Sequence, residues 1–256
     1  MPPRTSSRPL PKPQAMTKRP AGRSPTASPR AGRRLLASYA AKRDLARSAE
    51  PPAVAAAATR TARRTFCVQK HLAHHLHYDF RLEHRGVLLS WAIPKGPSTD
   101  PAVKRLAMQV EDHPVAYGSF EGVIASGYGA GIVMLWDAGV WSPLDDDVDA
   151  ALVAGRLSFM IRATKLNGRW SLIRTRRPGR PSWLLIKVQD AYASRREVTS
   201  ARPHSVNGSV DFPAILARED REPWPDGPPV GGEAGDLLRS IIVRARRLAP
   251  RRAAQR

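Results

Sequence analysis

Residues 78–93 read YDFRLEHRGVLLSWAI and decide the fold class of this 256-residue chain. From Tyr78 to Glu83, apolar and polar residues alternate, which is the period-2 pattern of a half-buried β-strand. The triplet at 84–86, His-Arg-Gly, predicts a hairpin turn, and residues 87–93 are the apolar strand that follows it. This hairpin indicates an antiparallel sheet at the centre of the fold.

Short strand-like segments continue on both sides of the hairpin, separated by turn residues. The further predicted strands are 66–69, 106–111, 131–136, 139–141, 157–161, 168–174 and 183–188. One or two helical turns are expected at 149–154 and a short helix at 35–47. Many short strands with tight turns predict a mainly β protein, namely a compact antiparallel β-barrel or sandwich with short helices.

The positive charge is concentrated at the N-terminus. The chain has 42 Lys+Arg and 22 Asp+Glu, a net charge of +20, and residues 1–64 carry 15 basic and only 2 acidic residues. Residues 1–29 contain eight prolines and no acid, so they cannot bury enough apolar surface to offset their ordering entropy. Three interpretations of this disordered tail stay open: an arm that grips phosphates, a solubilising tail, or a mitochondrial transit peptide.

The composition divides the chain into three parts. Residues 1–34 are predicted to be a disordered basic tail, residues 35–190 the folded β domain, and residues 191–256 a weakly structured basic C-terminal extension. Within the extension, 236–244 predict an amphipathic helix that docks on the core or on a partner. A body of about 160 residues buries roughly 70% of its unfolded surface and can fold alone.

Several classes of protein are excluded by what the sequence lacks. The single cysteine, Cys67, rules out an intramolecular disulfide framework and a multi-cysteine zinc site. No apolar stretch reaches the roughly 18 residues of a membrane span, and no secretory h-region or Walker loop is present. We therefore expect a cytoplasmic protein with no membrane contact, and its charge makes a polyanion the first partner to consider.

The residue types that carry chemistry cluster before and within the first predicted hairpin. On an extended strand, His77, Asp79 and Arg81 point to one face, at intervals of roughly 6.5–7 Å, and the aromatic neighbours point to the other. Histidine and aspartate are suitable ligands for a divalent metal, and an arginine beside them can clamp a phosphate. His71 can return to the same face after a short loop.

The alternative to a metal- and phosphate-binding face is an ordinary β-strand whose polar face is exposed to solvent. A second group of polar residues, Glu111 to His113 at another strand end, favours the functional reading instead. His74 and His75 fall in a loop and His84 in a turn, where they are interpreted as bystanders. The glycine-rich segment 127–131 is interpreted as a hairpin turn, since it follows no phosphate-loop pattern.

Longer runs of sequence resemble one known family. Residues 66–83, FCVQKHLAHHLHYDFRLE, closely resemble the signature of the 3′-phosphoesterase domain of bacterial ATP-dependent DNA ligase D. The resemblance covers about residues 35–190. It continues through GVLLSWAIPKGP (86–97), KRLAMQVEDHP (104–114), FEG (120–122), YGAG (128–131), WD (136–137), LNGRW (166–170) and WLLIK (183–187).

This resemblance implies a compact β-barrel with a crescent-shaped active site on its surface. It implies a manganese-dependent hydrolase, a phosphodiesterase and phosphomonoesterase that trims DNA 3′ ends. Such an enzyme removes a 3′-terminal ribonucleoside and then the 3′-phosphate, leaving a 3′-hydroxyl, in double-strand break repair by non-homologous end joining. A monomer is expected, located in the bacterial cytoplasm in association with the nucleoid.

The family's functional residues carry over onto matching positions of this chain. The resemblance implies His71, His77 and Asp79 as ligands of Mn²⁺ or another divalent transition metal. It implies catalytic roles for Arg81, His113, Glu111 and Tyr117. It implies substrate-binding roles for Arg43, Asp44, Glu50, Gln69, Lys95 and Arg105, the first three mainly in ribonucleoside removal.

Two departures from the family pattern matter. The loop before Tyr128 usually reads Ile-Pro-Glu-Gly-x-Tyr, but here residues 124–128 read IASGY, one residue shorter and without the proline and glutamate. No primase–polymerase or adenylating ligase sequence is present, so a stand-alone phosphoesterase is expected. Ku and a separate DNA ligase are partners that the family's repair context implies, together with primer–template DNA ends.

Two other functions remain as alternatives at this point. The fold could serve a non-catalytic DNA-end-binding scaffold, or a metal-dependent phosphoesterase that processes RNA. The intact set of His71, His77, Asp79, Arg81 and His113 favours the enzyme, because a scaffold would not need these residues.

Overall fold

The computed structural model describes residues 34–46, 48–57, 64–176, 182–219, 223–224 and 227–248. Apart from Arg34, the predicted N-terminal tail therefore lies outside the described residues, and so do positions 249–256. The predictions of disordered termini consequently stay predictions.

Ten β-strands form the body of the part of the chain that the structure describes. Their bounds are β1 Arg64–Leu72, β2 Leu76–His84, β3 Val87–Ile93, β4 Lys104–Gln109, β5 His113–Pro114, β6 Gly122–Ile124, β7 Gly131–Pro143, β8 Arg156–Ala163, β9 Asn167–Arg174 and β10 Ser182–Lys187. Short helices connect and flank these strands. They are α1 Ala37–Ala41, a 3₁₀ helix Val115–Ser119, α2 Val148–Ala154, α3 Val198–Ala201 and α4 Phe212–Leu216, followed by the longer α5 Gly232–Leu248.

Eight of the strands close into a barrel. The order of hydrogen-bonded neighbours is β1-β2-β3-β4-β10-β9-β8-β7, and β7 pairs with β1 to complete the circle. All the described pairings are antiparallel, with β5 added beside β3 and β6 beside β7. Closure removes the exposed edges that an open sheet would present. The prediction of a mainly β, antiparallel barrel with short helices is confirmed.

The barrel interior is filled with large aromatic side chains. Trp91, Trp136 and Trp170 are 0% exposed, and Trp141 and Trp183 are 1% exposed. Truncating a buried tryptophan to alanine costs about 3–5 kcal/mol, so these residues account for a large share of the stability. The apolar members of the alternating β2 stretch lie in the same cluster, as its period-2 pattern predicts.

Two predicted strands, 131–136 and 139–141, form the single strand β7, which pairs with both β1 and β8. From the sequence, Gly139 looks like a residue that separates two strands. In the structure its Cα lies so close to strand β8 that an added Cβ would lie 2.3 Å from the Arg162 carbonyl oxygen. The glycine thus permits close approach of two strands and does not end the strand.

The polar face of β2 is buried as well as its apolar face. Asp79, Arg81 and Glu83 are 7%, 2% and 3% exposed, although their side chains point away from the barrel interior. The described residues before β1, 34–46 and 48–57, form an N-terminal segment that covers this outer face. Its Leu36 and Tyr39 pack against Val87, Leu88 and Tyr117. A covered polar face creates a partly desolvated site on the outside of the barrel.

The C-terminal residues contribute a second apolar cluster. The predicted helix at 236–244 is confirmed and extends over Gly232–Leu248. Its residues Leu238, Ile241, Ile242 and Ala245 recur at helical spacing, so one face packs against α4 and the barrel. The sequence predicts only weak structure in this region because the strand-like pattern fades after Asp190. The apolar cluster is assembled from short segments that lie far apart in the sequence, so no local pattern reveals it. Among the described residues, no helix is long and apolar enough to cross a bilayer.

Candidate active site

His71, His77 and Asp79 converge on the outer face of the barrel. His71 is the penultimate residue of β1 and lies directly opposite His77 in the β1–β2 register, while Asp79 lies opposite Gln69. The Nδ1 atom of His71 is 3.7 Å from Asp79 Oδ2, and the Nε2 atom of His77 is 3.7 Å from Asp79 Oδ1. One nitrogen from each histidine and a carboxylate oxygen lie within 4.8 Å of one another, which is a suitable arrangement for a metal ion.

The second ring nitrogen of each histidine is held by a backbone carbonyl. His71 Nε2 lies 2.9 Å from the Gly129 oxygen, and His77 Nδ1 lies 2.9 Å from the His75 oxygen. A carbonyl can only accept, so each of these nitrogens carries the proton and leaves the other nitrogen as a lone-pair donor. Such hydrogen bonds fix the tautomer of metal-binding histidines in general. Imidazole and carboxylate donors fit Mn²⁺ and similar divalent transition metals.

Asp79 is charged in the folded protein. Burial raises the pKa of its carboxyl group, but the charge of Arg81 and the interactions with His77 and His71 outweigh burial, so the net pKa lies well below its usual range. A carboxylate that is ionised in a buried site is a suitable ligand for a cation.

Arg81 is fixed by three side chains in a buried position. Its Nε donates to Gln69 Oε1 at 2.7 Å, its Nη1 to Ser90 Oγ at 2.8 Å and its Nη2 to Asp79 Oδ2 at 3.1 Å. The amide of Gln69 in turn donates to the carbonyl oxygens of Tyr117 and Phe120. A guanidinium has five N–H donors, so these bonds leave one N–H on each Nη for a phosphate oxygen.

His113 lies beside this arginine as a neutral imidazole. Its Nδ1 donates to the Glu111 carbonyl oxygen at 2.8 Å, and its Nε2 lies 3.1 Å from Arg43 Nη2, which can only donate. Burial, and then the positive charges of Arg81 and Arg43, hold the pKa of His113 well below its ordinary value. The lone pair on Nε2 therefore accepts this hydrogen bond from Arg43.

Arg43 connects the N-terminal segment to the site. Its Nε donates to Glu50 Oε1 at 2.8 Å, its Nη1 donates to Glu111 Oε1 at 3.0 Å, and its guanidinium lies 4.1 Å above the Tyr39 ring. Tyr117 donates its hydroxyl to Glu50 Oε1 at 3.1 Å. These residues form one charge-paired network around His113.

The two glutamates stabilise this network. Ser48 and Lys42 complete their contacts, since Ser48 Oγ donates to Glu50 Oε2 at 2.9 Å and Lys42 Nζ to Glu111 Oε2 at 2.8 Å. Burial raises the pKa of Glu111, but its bonds to Lys42 and Arg43 outweigh burial and the net pKa is lowered. In this arrangement Glu111 holds the two basic residues in place.

A cleft of about 180 Å³ opens next to Arg43. It is bounded on one side by the N-terminal segment and on the other by the loop between β6 and β7. Its lining residues are Lys42, Arg43, Asp44, Ser48, Glu50, Ala125, Ser126, Gly127 and Tyr128. The Tyr128 side chain is half exposed at the rim, and Lys42 Nζ lies 4.8 Å from the centre of its ring.

The predicted site residues thus fall into two sets. His71, His77, Asp79, Arg81 and His113 lie together with Gln69, Arg43, Glu50, Glu111 and Tyr117, and Asp44 lines the adjoining cleft. The described contacts of the other two lie elsewhere. Lys95 is exposed in the turn after β3, and Arg105 Nη2 donates to Glu197 Oε2 at 2.5 Å. Site roles for Lys95 and Arg105 stay predictions.

Several residues at the site are not predicted from the sequence. Tyr39 packs its ring 5.1 Å from that of His113, and Ser90 contacts both Arg81 and His113. Ser90 carries a signal, because a polar residue interrupts the apolar strand of residues 87–93. Tyr39 lies one helical turn before Arg43, the spacing that places two residues on one helix face. Gly129 contributes only its backbone, which no side-chain motif reveals.

The three histidines interpreted as bystanders have separate environments. His74 and His75 are exposed in the β1–β2 turn, where His75 contributes its carbonyl to His77. His84 forms a group of its own with Arg64 and Asp149, at 3.0 and 2.9 Å respectively.

The closed barrel and the histidine–aspartate–arginine cluster define a β-barrel domain with a candidate metal centre. Residues 69–174 match the family model described as the DNA Ligase D 3′-phosphoesterase domain. This part of the chain belongs to that family, as the sequence resemblance predicts, and the family is one of phosphoesterases, which are hydrolases.

Similar proteins carry the same domain as part of a longer chain. A 176-residue region, 67% of this chain, is 53% identical to the multifunctional non-homologous end joining protein LigD of Pseudomonas aeruginosa. A 143-residue region is 41% identical to the LigD DNA repair protein of Mycobacterium tuberculosis, and 194 residues are 36% identical to that of Mycolicibacterium smegmatis. The matched regions span 21%, 18% and 23% of these relatives, so this chain corresponds to about a fifth of their length.

Proposed function

We propose that this protein is a metal-dependent phosphoesterase that trims the 3′ ends of DNA. The observation that carries the proposal is the juxtaposition of His71, His77 and Asp79 with a buried arginine that retains free N–H donors. The proposed reaction removes a 3′-terminal ribonucleoside, then hydrolyses the remaining 3′-phosphate, and leaves a 3′-hydroxyl.

The metal triad and Arg81 act on the phosphoryl group. A divalent ion such as Mn²⁺, held by His71, His77 and Asp79, would supply Lewis-acid charge at a phosphoryl oxygen. Arg81 offers its two remaining N–H groups to other phosphoryl oxygens, where charge develops in the transition state. Gln69 and Ser90 hold the guanidinium in place before substrate arrives, so little reorganisation is needed.

His113 takes part in proton transfer through its Nε2 atom. In the free protein this nitrogen is unprotonated, because the imidazole is buried between two arginines. A bound phosphate brings negative charge next to the ring and raises the pKa of His113. When the Arg43 Nη2 hydrogen bond is released from Nε2, the imidazole can take up a proton from solvent water at this nitrogen and donate it toward a phosphoryl or leaving-group oxygen.

The cleft beside Arg43 accommodates the terminal ribonucleoside. Asp44 presents an exposed carboxylate there, which can accept hydrogen bonds from sugar hydroxyls. Tyr128 offers aromatic surface at the rim for a base. A phosphomonoester needs only the metal triad, Arg81 and His113, so removal of the phosphate should depend less on the cleft.

The biological context comes from the similar proteins, whose names describe end joining and DNA repair. We place this protein at DNA ends in the bacterial cytoplasm, in association with the nucleoid. There it works as a monomer alongside Ku and a DNA ligase. In this role, the protein produces the 3′-hydroxyl end that DNA ligation requires.

A single substrate tests the proposal. The experiment uses purified protein, Mn²⁺ and a labelled primer–template whose primer ends in one ribonucleotide. We expect two successive products, first the 3′-phosphate and then the 3′-hydroxyl, and neither in EDTA. A matched all-RNA duplex distinguishes a DNA-end enzyme from an RNA-processing one, and binding without any product would indicate a scaffold.

A further inference from the structure

The loop between β6 and β7 carries one of the atoms that define the metal site. The carbonyl oxygen of Gly129 accepts the hydrogen bond from His71 Nε2, and this bond leaves Nδ1 directed toward Asp79. Gly127 and Gly129 have positive φ angles of 84° and 82°, so the loop follows a path that suits glycine. A Cβ added at Gly129 would contact the His71 ring at 3.6 Å, so loop and imidazole are close.

A tryptophan from the C-terminal part of the chain anchors this loop. Trp224 is 5% exposed, and its indole Nε1 donates to the Ala125 carbonyl oxygen at 2.7 Å. The same indole belongs to the apolar cluster that includes Val123 and Ile132, the residues on the two strands that enter and leave the loop. Trp224 lies outside the 69–174 region that matches the family model.

We infer that Trp224 is a positioning residue for the metal centre. The connection runs from the indole N–H to Ala125, through the loop to the Gly129 carbonyl, and from there to His71 Nε2. Trp224 thereby holds the loop where Gly129 selects the His71 tautomer that can bind a metal. This inference rests on the proposed metal site.

Loss of the indole N–H releases the loop without touching the metal ligands. Ala125 is exposed, so water can hydrate its carbonyl once the indole bond is gone, and the loop is no longer tied to the C-terminal cluster. The Gly129 carbonyl then binds His71 for only part of the time. Changes in residues that orient metal ligands typically reduce metal affinity 10–100-fold.

The test compares Trp224→Phe with Trp136→Phe. Trp136 is a matched control, because it is also buried and its Nε1 also donates to a C-terminal carbonyl, that of Arg202, at 2.8 Å. Two quantities are measured: the ¹⁵N shifts of the His71 ring in metal-free protein, which report its tautomer, and the Kd for Mn²⁺. A second variant carries 3-benzothienylalanine at position 224, which removes the N–H but keeps the shape of the ring.

We expect both changes at position 224 to mix the His71 tautomers and to raise the Kd for Mn²⁺ about tenfold, while Trp136→Phe changes neither. A wild-type His71 spectrum and an unchanged Kd in the benzothienyl variant would overturn the inference. The proposed metal site fails in a different way, by absence of Mn²⁺ binding in the wild-type protein. In that event the metal-free His71 spectrum still decides whether Trp224 controls the tautomer.

Discussion

Nη2 of Arg43 donates a hydrogen bond to Nε2 of His113, at 3.1 Å, across 70 positions of sequence. The bond joins a segment that precedes the barrel to an imidazole that is also subject to the charge of Arg81. Tyr39, Arg43 and Glu50 of this segment thus contact the candidate site, even though the family model begins at residue 69. The segment and the barrel should therefore function as one unit.

Changes in the N-terminal segment should separate the two reactions. In Glu50→Gln and Asp44→Asn, ribonucleoside removal should fall at least tenfold more than removal of a 3′-phosphate. The physical reason is that Asp44 faces the cleft and Glu50 holds Arg43 at its edge, while only the larger substrate occupies the cleft. A hydrogen bond to a charged group contributes about 1.5–3 kcal/mol. Rates are measured on primer–templates ending in a ribonucleotide or in a phosphate. Asp236→Asn, an exposed carboxylate on α5, is the control. Equal losses on the two substrates would refute this division of roles.

Gln69 should be a stability determinant as well as a site residue. It is 0% exposed and bonds Arg81 and two backbone carbonyls, so Gln69→Leu leaves several buried polar groups unpaired. We expect the free energy of unfolding to fall by about 3 kcal/mol and phosphatase activity to fall with it. Urea denaturation measures the first quantity. Gln109→Leu, which removes one bond to the Trp183 indole, should cost less. A Gln69→Leu protein as stable as the wild type would count against the described network.

Acid should destabilise the protein partly through His113. The pKa of this residue is well below its ordinary value when folded, so below about pH 6.5 the unfolded chain binds a proton that the folded protein does not. Stability therefore falls as the pH drops from about 6.5 toward the folded pKa, by up to about 1.4 kcal/mol per pH unit, and is unaffected by this group above that window. In EDTA, His113→Gln should have a flatter pH dependence of unfolding than the wild type. His74→Gln, in the exposed turn, provides the comparison. Identical slopes for all three proteins would show that His113 is not held neutral.

The fold follows from local sequence patterns to a large extent. The alternation in residues 78–83 places Tyr78, Phe80 and Leu82 in the barrel core, as the period-2 pattern predicts. Closure of the barrel and the union of two predicted strands in β7 depend on pairings between distant segments, such as β1 with β7. Local periodicity cannot encode such pairings, and a glycine that permits close approach looks the same as one that ends a strand.

The site is predictable from the sequence only in part. His77, Asp79 and Arg81 share a strand face by simple alternation, and the resemblance to the family adds His71 and His113. The burial of that face is not predictable, because the residues that cover it come from before the barrel. The loop contacts of Gly129 and Trp224 also escape prediction, since one uses only backbone atoms and the other lies about 100 residues from its partner.

The basic tail lies outside the described residues, and its role is a matter for experiment. Residues 1–29 carry Arg4, Arg8, Lys12, Lys18, Arg19 and Arg23 and no acid. If the tail grips phosphates, its deletion should weaken DNA binding and make the log–log salt dependence shallower by about 0.7–0.9 per lost contact. Turnover at saturating substrate should hardly change. Binding of one primer–template at several salt concentrations, with and without the tail, gives both slopes. Equal slopes would assign the tail to solubility or to another partner.

We propose that His71, His77 and Asp79 hold the metal with which this domain hydrolyses DNA 3′-phosphoesters. The most direct measurement combines Mn²⁺ binding with trimming of a ribonucleotide-ended primer–template, for the wild type, His77→Ala and Asp79→Ala. His74→Ala, a histidine of the exposed β1–β2 turn, serves as the matched control. We predict that the two ligand variants stay folded but lose Mn²⁺ binding and both reactions together, while His74→Ala retains them. A folded His77→Ala protein that binds Mn²⁺ and trims the primer at the wild-type rate would contradict the assignment of these residues as metal ligands.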